Sequence, residues 1–330
     1  MFGKMIRFAS LAVFGLALTV VPQAKAGLTL TAAGVAEGYQ LSVFASGFPS
    51  TDFNGVGPIS TGYPVGGGVL ASSYADGKVY RFATDTDGQT VAANGVASVT
   101  NYGAPTGIAS ANGNIFMALQ GTGDIVKIDS NGNYLSTLTS GLGFVTGLTS
   151  FGNNLYASNV STAIFKVDAT TGAAVALVGG AFDGLGINFD GSLVFGEAGQ
   201  HIYGYHTSDG SYANFDSGFI SGADGAALGS GGLLGKLIVN TNFGEVWEVD
   251  LNTSIQVLIA NGGSRGDLVS VDTAGNGSLL LSQSDSIVRL TNDNGGFQGG
   301  ITTPEPATWA TGMLGAAIVA FVARRRTVRG

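Results

Sequence analysis

Three features of the 330-residue sequence predict an all-β fold, a six-bladed β-propeller of four-stranded blades. A β-rich unit recurs about every 40 residues, each unit breaks into four short segments, and glycine is abundant while cysteine is absent. The stretch 145–180 shows the unit most clearly. Its segments T-G-L-T-S, L-Y-A-S-N, I-F-K-V-D and A-A-V-A-L-V are separated by turns containing Gly, Asn, Ser or Asp. Each is too short for an amphipathic helix and rich in the residues that suit a pleated surface. One such sheet cannot bury its own face, so the recurrence decides the architecture.

The third segment of the unit is the easiest to follow. Val79-Tyr80-Arg81-Phe82, Ile125-Val126-Lys127-Ile128, Ile164-Phe165-Lys166-Val167, Ile202-Tyr203-Gly204-Tyr205, Val246-Trp247-Glu248-Val249 and Ile287-Val288-Arg289-Leu290 share one register. A second segment precedes each of them, and first strands are predicted to open at Gly55, Gly107, Gly147, Gly184, Gly225 and near Gly266. No fourth segment follows Leu290, whereas an orphan strand, Tyr39-Gln40-Leu41-Ser42-Val43-Phe44, precedes the first unit. That N-terminal strand is expected to complete the last blade, removing the edges that invite aggregation. The repeats leave no internal boundary, so residues 27–300 form one domain.

Charge is placed unevenly. Seven of the 14 basic residues lie at the two ends; between Gly27 and Thr303 there are seven basic and 21 acidic residues, a net of −14. Such a surface repels nucleic acid and anionic lipid, and it disfavours nucleic-acid binding. Without cysteine there is no thiol chemistry, thiolate metal site or disulfide framework.

Both ends have the form of addresses. Lys4 and Arg7 precede an apolar run from Phe8 to Val21 and the small-residue site Ala24-Lys25-Ala26, the pattern of a secretory signal peptide over residues 1–26. At the other end, Pro304-Glu305-Pro306 is followed by an apolar segment, 307–323, and by Arg324-Arg325-Arg326. Seventeen residues at helical rise span roughly 26 Å, enough for a short transmembrane helix whose arginines stay cytoplasmic. These residues, 301–330 in all, resemble the PEP-CTERM sorting signal of Gram-negative bacteria. The resemblance implies an exosortase-type membrane processing enzyme as partner and transient anchoring in the inner membrane. It also implies export to the cell surface or extracellular matrix, where exopolysaccharide or matrix components would be neighbours.

Within the repeats the candidate chemistry is sparse. His201 and His206, five apart on one predicted strand, point to opposite faces and cannot pair on a metal. Asp85-Thr86-Asp87-Gly88 opens like a calcium loop but lacks the further acidic residue and closing Glu, and it aligns with hairpin turns such as Asp129-Ser130-Asn131-Gly132. More suggestive is the residue just before each first-strand glycine: Asn54, Thr106, Thr146, Asp183, Asp224 and Arg265 in successive units. First strands line a propeller's channel, so these side chains would ring its mouth. Asp183, Asp224 and Asn54, with Glu197 from a second strand, offer oxygens suited to a hard cation; no cofactor is fixed, and calcium or another divalent cation is the expected ligand if there is one.

Asp183-Gly184-Leu185 and Asp224-Gly225-Ala226 resemble the D-G-hydrophobic first-strand motif of the gluconolactonase-like propellers, a group close to the NHL-repeat families. The resemblance implies a catalytic divalent metal held by such an Asp with an Asn and an N-terminal Glu. The chain departs from it: Asn54 stands in the first unit, a middle unit offers Thr106 or Thr146, and Glu37 lies before the closing strand. For want of a complete catalytic constellation the sequence leans away from an enzyme. It favours an exported, surface-sorted binding or matrix-associated module, with Tyr63–Gly68 and Gly218–Gly232 as its most divergent loops. The alternative is a metal-dependent hydrolase of lactones or related esters at the channel mouth.

Overall fold

The computed structural model describes residues 27–297 apart from 53 and 273–276; the expected signal peptide and sorting tail lie outside the described residues. Within them the fold is all-β, multi-bladed and propeller-like. Four separate antiparallel sheets of four strands follow one another along the chain. Blade 1 comprises Pro58–Gly62, Val69–Ser73, Lys78–Phe82 and Gly95–Ala97; blade 2 runs from Pro105–Ala111 to Tyr134–Thr139. Blade 3 runs from Val145–Phe151 to Ala174–Gly179, and blade 4 from Leu185–Ile187 to Tyr212–Asp216. Two further four-stranded units follow. Blade 5 is Ala223–Gly231, Lys236–Thr241, Val246–Asp250 and Gln256–Asn261, and blade 6 is Val269–Val271, Leu279–Ser282, Ser286–Asn292 and the N-terminal strand Tyr39–Ser46. A short strand, Gly295–Phe297, links blade 6 to the first strand of blade 5, so the two units form one larger sheet.

Packing explains the sequence pattern. The middle strands are buried on both faces and therefore appear as continuous apolar runs. Leu155 and Ala157 pack toward blade 2, while Tyr156 between them packs toward blade 4. Such clusters occupy all six junctions among the described residues, including blade 6 against blade 1, where Phe44, Phe82, Leu280 and Ile287 meet. The fourth strands of blades 2 and 3 largely face water; Tyr134–Thr139 is mostly exposed. Side-chain alternation thus feeds two clusters from each blade, and one sheet never has to bury itself.

The hairpins between third and fourth strands are set by Asp side chains. Asp129 accepts from the backbone N–H groups of Asn131 and Asn133 at 2.8 Å, and Asp168 and Asp250 bind the next turn in the same way. Blade 1 departs from this pattern. The hairpin expected at Asp85–Gly88 is instead a longer excursion in which Gln89–Thr90 pairs in parallel with the closing strand and Val91–Asn94 forms a helical turn. The cause is Arg289 of blade 6, whose guanidinium draws in Asp85 at 2.6 Å and Asp87 at 2.7 Å. Nor is Gly218–Gly232 a loop throughout: Ala223–Gly231 is a nine-residue strand whose end pairs with Gly295–Phe297.

Candidate functional site at the channel mouth

In blades 1, 2, 3 and 5 the first strand enters through a register shift, and those shifts fix which residues correspond. The shift lies between Pro58 and Thr61, Pro105 and Ile108, Val145 and Leu148, and Ala223 and Ala226. Ile59, Thr106, Thr146 and Asp224 therefore hold equivalent places. Asp183 holds the same place in blade 4, where Leu185 lies opposite Gly196, and Asp267 holds it in blade 6, where Val269 lies opposite Leu281. This corrects the sequence register at two blades. Asn54 and Arg265 reach the mouth from the loops ahead of their strands, and the true blade 6 counterpart of Asp224 is Asp267. Leu268, not glycine, follows Asp267, so no glycine marks the entry there.

The ring is consequently divided. Blades 1 to 3 contribute an aliphatic and two hydroxyl side chains, whereas blades 4 to 6 contribute three carboxylates. Asn54, Asp183, Asp224, Arg265 and Asp267 line one cavity of about 330 Å³, with Phe144, Val160 and Tyr74 among its apolar walls. Glycines at the strand entries permit this crowding. A Cβ on Gly184 would stand 1.9 Å from the Asp224 carbonyl oxygen, and one on Gly225 would stand 2.5 Å from the Leu268 Cα. Adjacent inner strands thus approach backbone to backbone.

The electrostatics follow from that geometry. Asp224 is only 3% exposed, and burial first, then the charges of Asp183 and Asp267, push its carboxyl well above the usual carboxylate range. Burial also raises Asp183, with the Thr146 hydroxyl opposing the shift and Asp267 adding to it. Arg265 is the counter-charge. Its Nη2 donates to Asp267 Oδ1 at 2.7 Å and lies 4.0 Å from Asp224 Oδ2, and its Nε donates to Asp267 at 3.2 Å. Burial works against the guanidinium's charge, but the Asp267 hydrogen bond and the surrounding carboxylates outweigh it.

Of the residues singled out from sequence, Asn54, Asp183 and Asp224 share the cavity, and Glu197 does not line it. Glu197 turns to its own loop, accepting from the Gln200 backbone N–H at 2.5 Å; burial raises it to about 7, a shift opposed by that hydrogen bond and reinforced by Asp183. Glu37 ends the short helix Ala32–Ala36. His201 pairs with Asp216 at 2.8 Å and stacks on Tyr203. Among the described residues no group of three His, Cys, Asp or Glu side chains is disposed to hold a metal ion.

No protein-family model matches the chain, and no curated protein matches it in sequence. Solved structures do match in fold. A protein assigned as a gluconolactonase superposes with a TM-score of 0.64 at 10% identity, covering 83% of this chain and 99% of its own. A luciferin-regenerating enzyme gives 0.60 at 10% identity over 79% of this chain and 98% of its own. A streptogramin B lyase gives 0.50 at 11% identity over 78% and 98%. At such identity the similarity establishes an all-β fold like that of the gluconolactonase-like propeller enzymes. These three structures carry the names of enzymes, which overturns the sequence's lean away from an enzyme.

Proposed function

We propose that this chain is a hydrolase of lactones or related esters working at the mouth of a closed six-bladed propeller. The observation that carries the reading is the pair of raised carboxyls, Asp183 and Asp224, lining one cavity with a guanidinium. Two carboxyls with different environments divide the roles of acid and base between them. Asp224, the more deeply buried and the more strongly raised, is assigned as the acid; Asp183, half-buried beside the Thr146 hydroxyl, is assigned as the base. Water adds to the carbonyl carbon as its proton passes to Asp183. Arg265 donates to the oxygen that becomes negative. The carbon–oxygen bond to the leaving alcohol then breaks, Asp224 supplies that oxygen's proton, and the product is a hydroxy acid or an acid and an alcohol.

The residues do not fit the divalent metal that the lactonase-like resemblance implies. The ring carboxylates form no three-ligand set among the described residues, and Arg265 stands among the oxygens a metal would need. No step above passes through a metal. From residues 301–330 alone we further propose sorting by an exosortase-type enzyme to the cell surface or matrix. Sorting would bring the mouth to substrates outside the cell.

The test is hydrolysis of a panel of aliphatic and aromatic lactones and aryl esters by the full chain. Asp183→Asn and Asp224→Asn are each expected to lower kcat by about 10²- to 10⁴-fold, the usual contribution of a positioned acid or base. Absence of turnover across the panel, or turnover that both variants retain, overturns the assignment.

A further inference from the structure

The mouth carries its own cation. We infer that Arg265 occupies the place a divalent metal would take, so that the site binds and polarises its substrate through a guanidinium and needs no metal ion. The inference rests on the mouth being the functional site, as proposed above, but it concerns what holds that site together rather than what the site turns over.

Three observations support it. First, the three ring carboxylates of blades 4 to 6 converge on one side of the mouth, and among the described residues the only basic side chain lining that cavity is Arg265. Second, the contact is specific. Arg265 binds Asp267 through both Nε and Nη2, a two-point engagement that a planar guanidinium makes and an ammonium cannot. The same Nη2 faces Asp224 at 4.0 Å, so one guanidinium is shared by the carboxylates of adjacent blades. Third, Nη1 has no acceptor among the described residues. Its two N–H groups remain for a substrate's carbonyl oxygen, in a cavity whose apolar walls strengthen such a bond. Arg265 lies on the loop before the blade 6 first strand, two residues ahead of Asp267, which places the cation beside the acidic half of the ring.

A charge balance kept by Arg265 predicts a reciprocal behaviour toward metals. The full chain should melt at the same temperature in calcium, magnesium, manganese or zinc as in chelator. Removing the guanidinium leaves Asp183, Asp224 and Asp267 without their counter-charge, and an added cation should then take its place. Arg265→Ala is expected to melt lower than the parent in chelator. It should recover by about 5–10 °C in calcium or manganese at a hundred times the dissociation constant. Arg265→Gln, which keeps a donor for Asp267 and disturbs the loop less, should show the same gain if the alanine variant does not fold. Arg265→Lys, retaining charge, should stay insensitive to metal.

A metal-dependent rise in the parent chain that Asp224→Asn abolishes would overturn the inference, as would metal insensitivity in both the alanine and glutamine variants. These melting readouts need no turnover. A chain that hydrolyses nothing can still meet them, and a chain that hydrolyses lactones only with added metal fails here while keeping its proposed activity.

Discussion

Arg289→Met should be the most damaging single change away from the mouth. Arg289 lies on the third strand of blade 6 and is 4% exposed. Its Nη1 donates to Asp272 Oδ2 at 2.7 Å and to Ser278 Oγ at 2.6 Å, while Nη2 and Nε reach Asp85 and Asp87 on the excursion from blade 1. The guanidinium carbon also stands 5.4 Å from the centre of the Phe44 ring on the closing strand. One side chain therefore ties together the last blade, the N-terminal strand and the first blade. The contributions are unequal. Asp87 is more than a third exposed, so its pair is screened and adds less than about 1 kcal/mol. Asp272 is fully buried, and a buried carboxylate stripped of its cation costs about 3–5 kcal/mol. Methionine fills the stem's volume and keeps contact with Phe44, so the charge term remains. A loss of about 3–4 kcal/mol is expected in urea unfolding, with a fall in Tm of about 10 °C. Asp87→Asn should cost under 1 kcal/mol in the same assay. A loss below 1 kcal/mol for Arg289→Met would refute the claim that this cluster latches the first and last blades.

Three other outcomes follow from the same geometry. Tyr39→Phe removes a 2.7 Å hydrogen bond from the closing strand to Glu248, a buried carboxylate that also pairs with Lys236 at 2.9 Å; about 1.5–3 kcal/mol should be lost, measured by chemical denaturation. Gly184→Ala drives a Cβ against the Asp224 carbonyl and should cost about 3 kcal/mol while distorting the mouth, so calorimetry and turnover should fall together. Stability should decline as pH rises from about 4.5 to 7. Glu197 is raised from 4.5 to about 7, so over that window the folded chain holds a proton that the unfolded chain has released, and ionisation in the fold is the less favourable. Glu197's share of the decline should be about 2–3 kcal/mol in urea titrations and should be missing from Glu197→Gln, which keeps the shares of the raised Asp183 and Asp224. The hairpin carboxylates such as Asp168, held below the usual range by backbone N–H donors, act oppositely and lose their contribution only at lower pH.

The blades were legible because their strands are buried on both faces. Runs such as Ile125-Val126-Lys127-Ile128 repeat a local requirement of packing, and six of them at nearly equal spacing leave few architectures to choose from. Pairing of the N-terminal strand with the last unit was legible by subtraction, since blade 6 lacked a strand and Tyr39–Ser46 had no partner; the two pair along Tyr39–Asn292 to Ser46–Ser286. The excursion at Asp85–Gly88 was not legible. Its turn residues satisfy a hairpin as well as they satisfy Arg289, and the arginine that decides between them is some 200 residues away in sequence.

The mouth was half legible for a related reason. Glycine marks first-strand entry only where neighbouring backbones leave no room for a side chain, as at Gly184 and Gly225. At blades 1 and 6 the equivalent positions are Ser60 and Leu268, so a search for glycine slips to Gly55 and Gly266 and names Asn54 and Arg265 instead of Ile59 and Asp267. The slip had a consequence for the chemistry. Without Asp267, Asp183 and Asp224 read as ligands for a cation, and Arg265 has no role assigned to it. With Asp267 in place, its carboxylate holds the guanidinium at 2.7 Å within 4.0 Å of Asp224. Three acids and one arginine then make a site whose negative charge is partly offset from within the chain, and on the inference drawn above it is this internal cation, more than any single carboxylate, that would separate a metal-free mouth from a metal-dependent one.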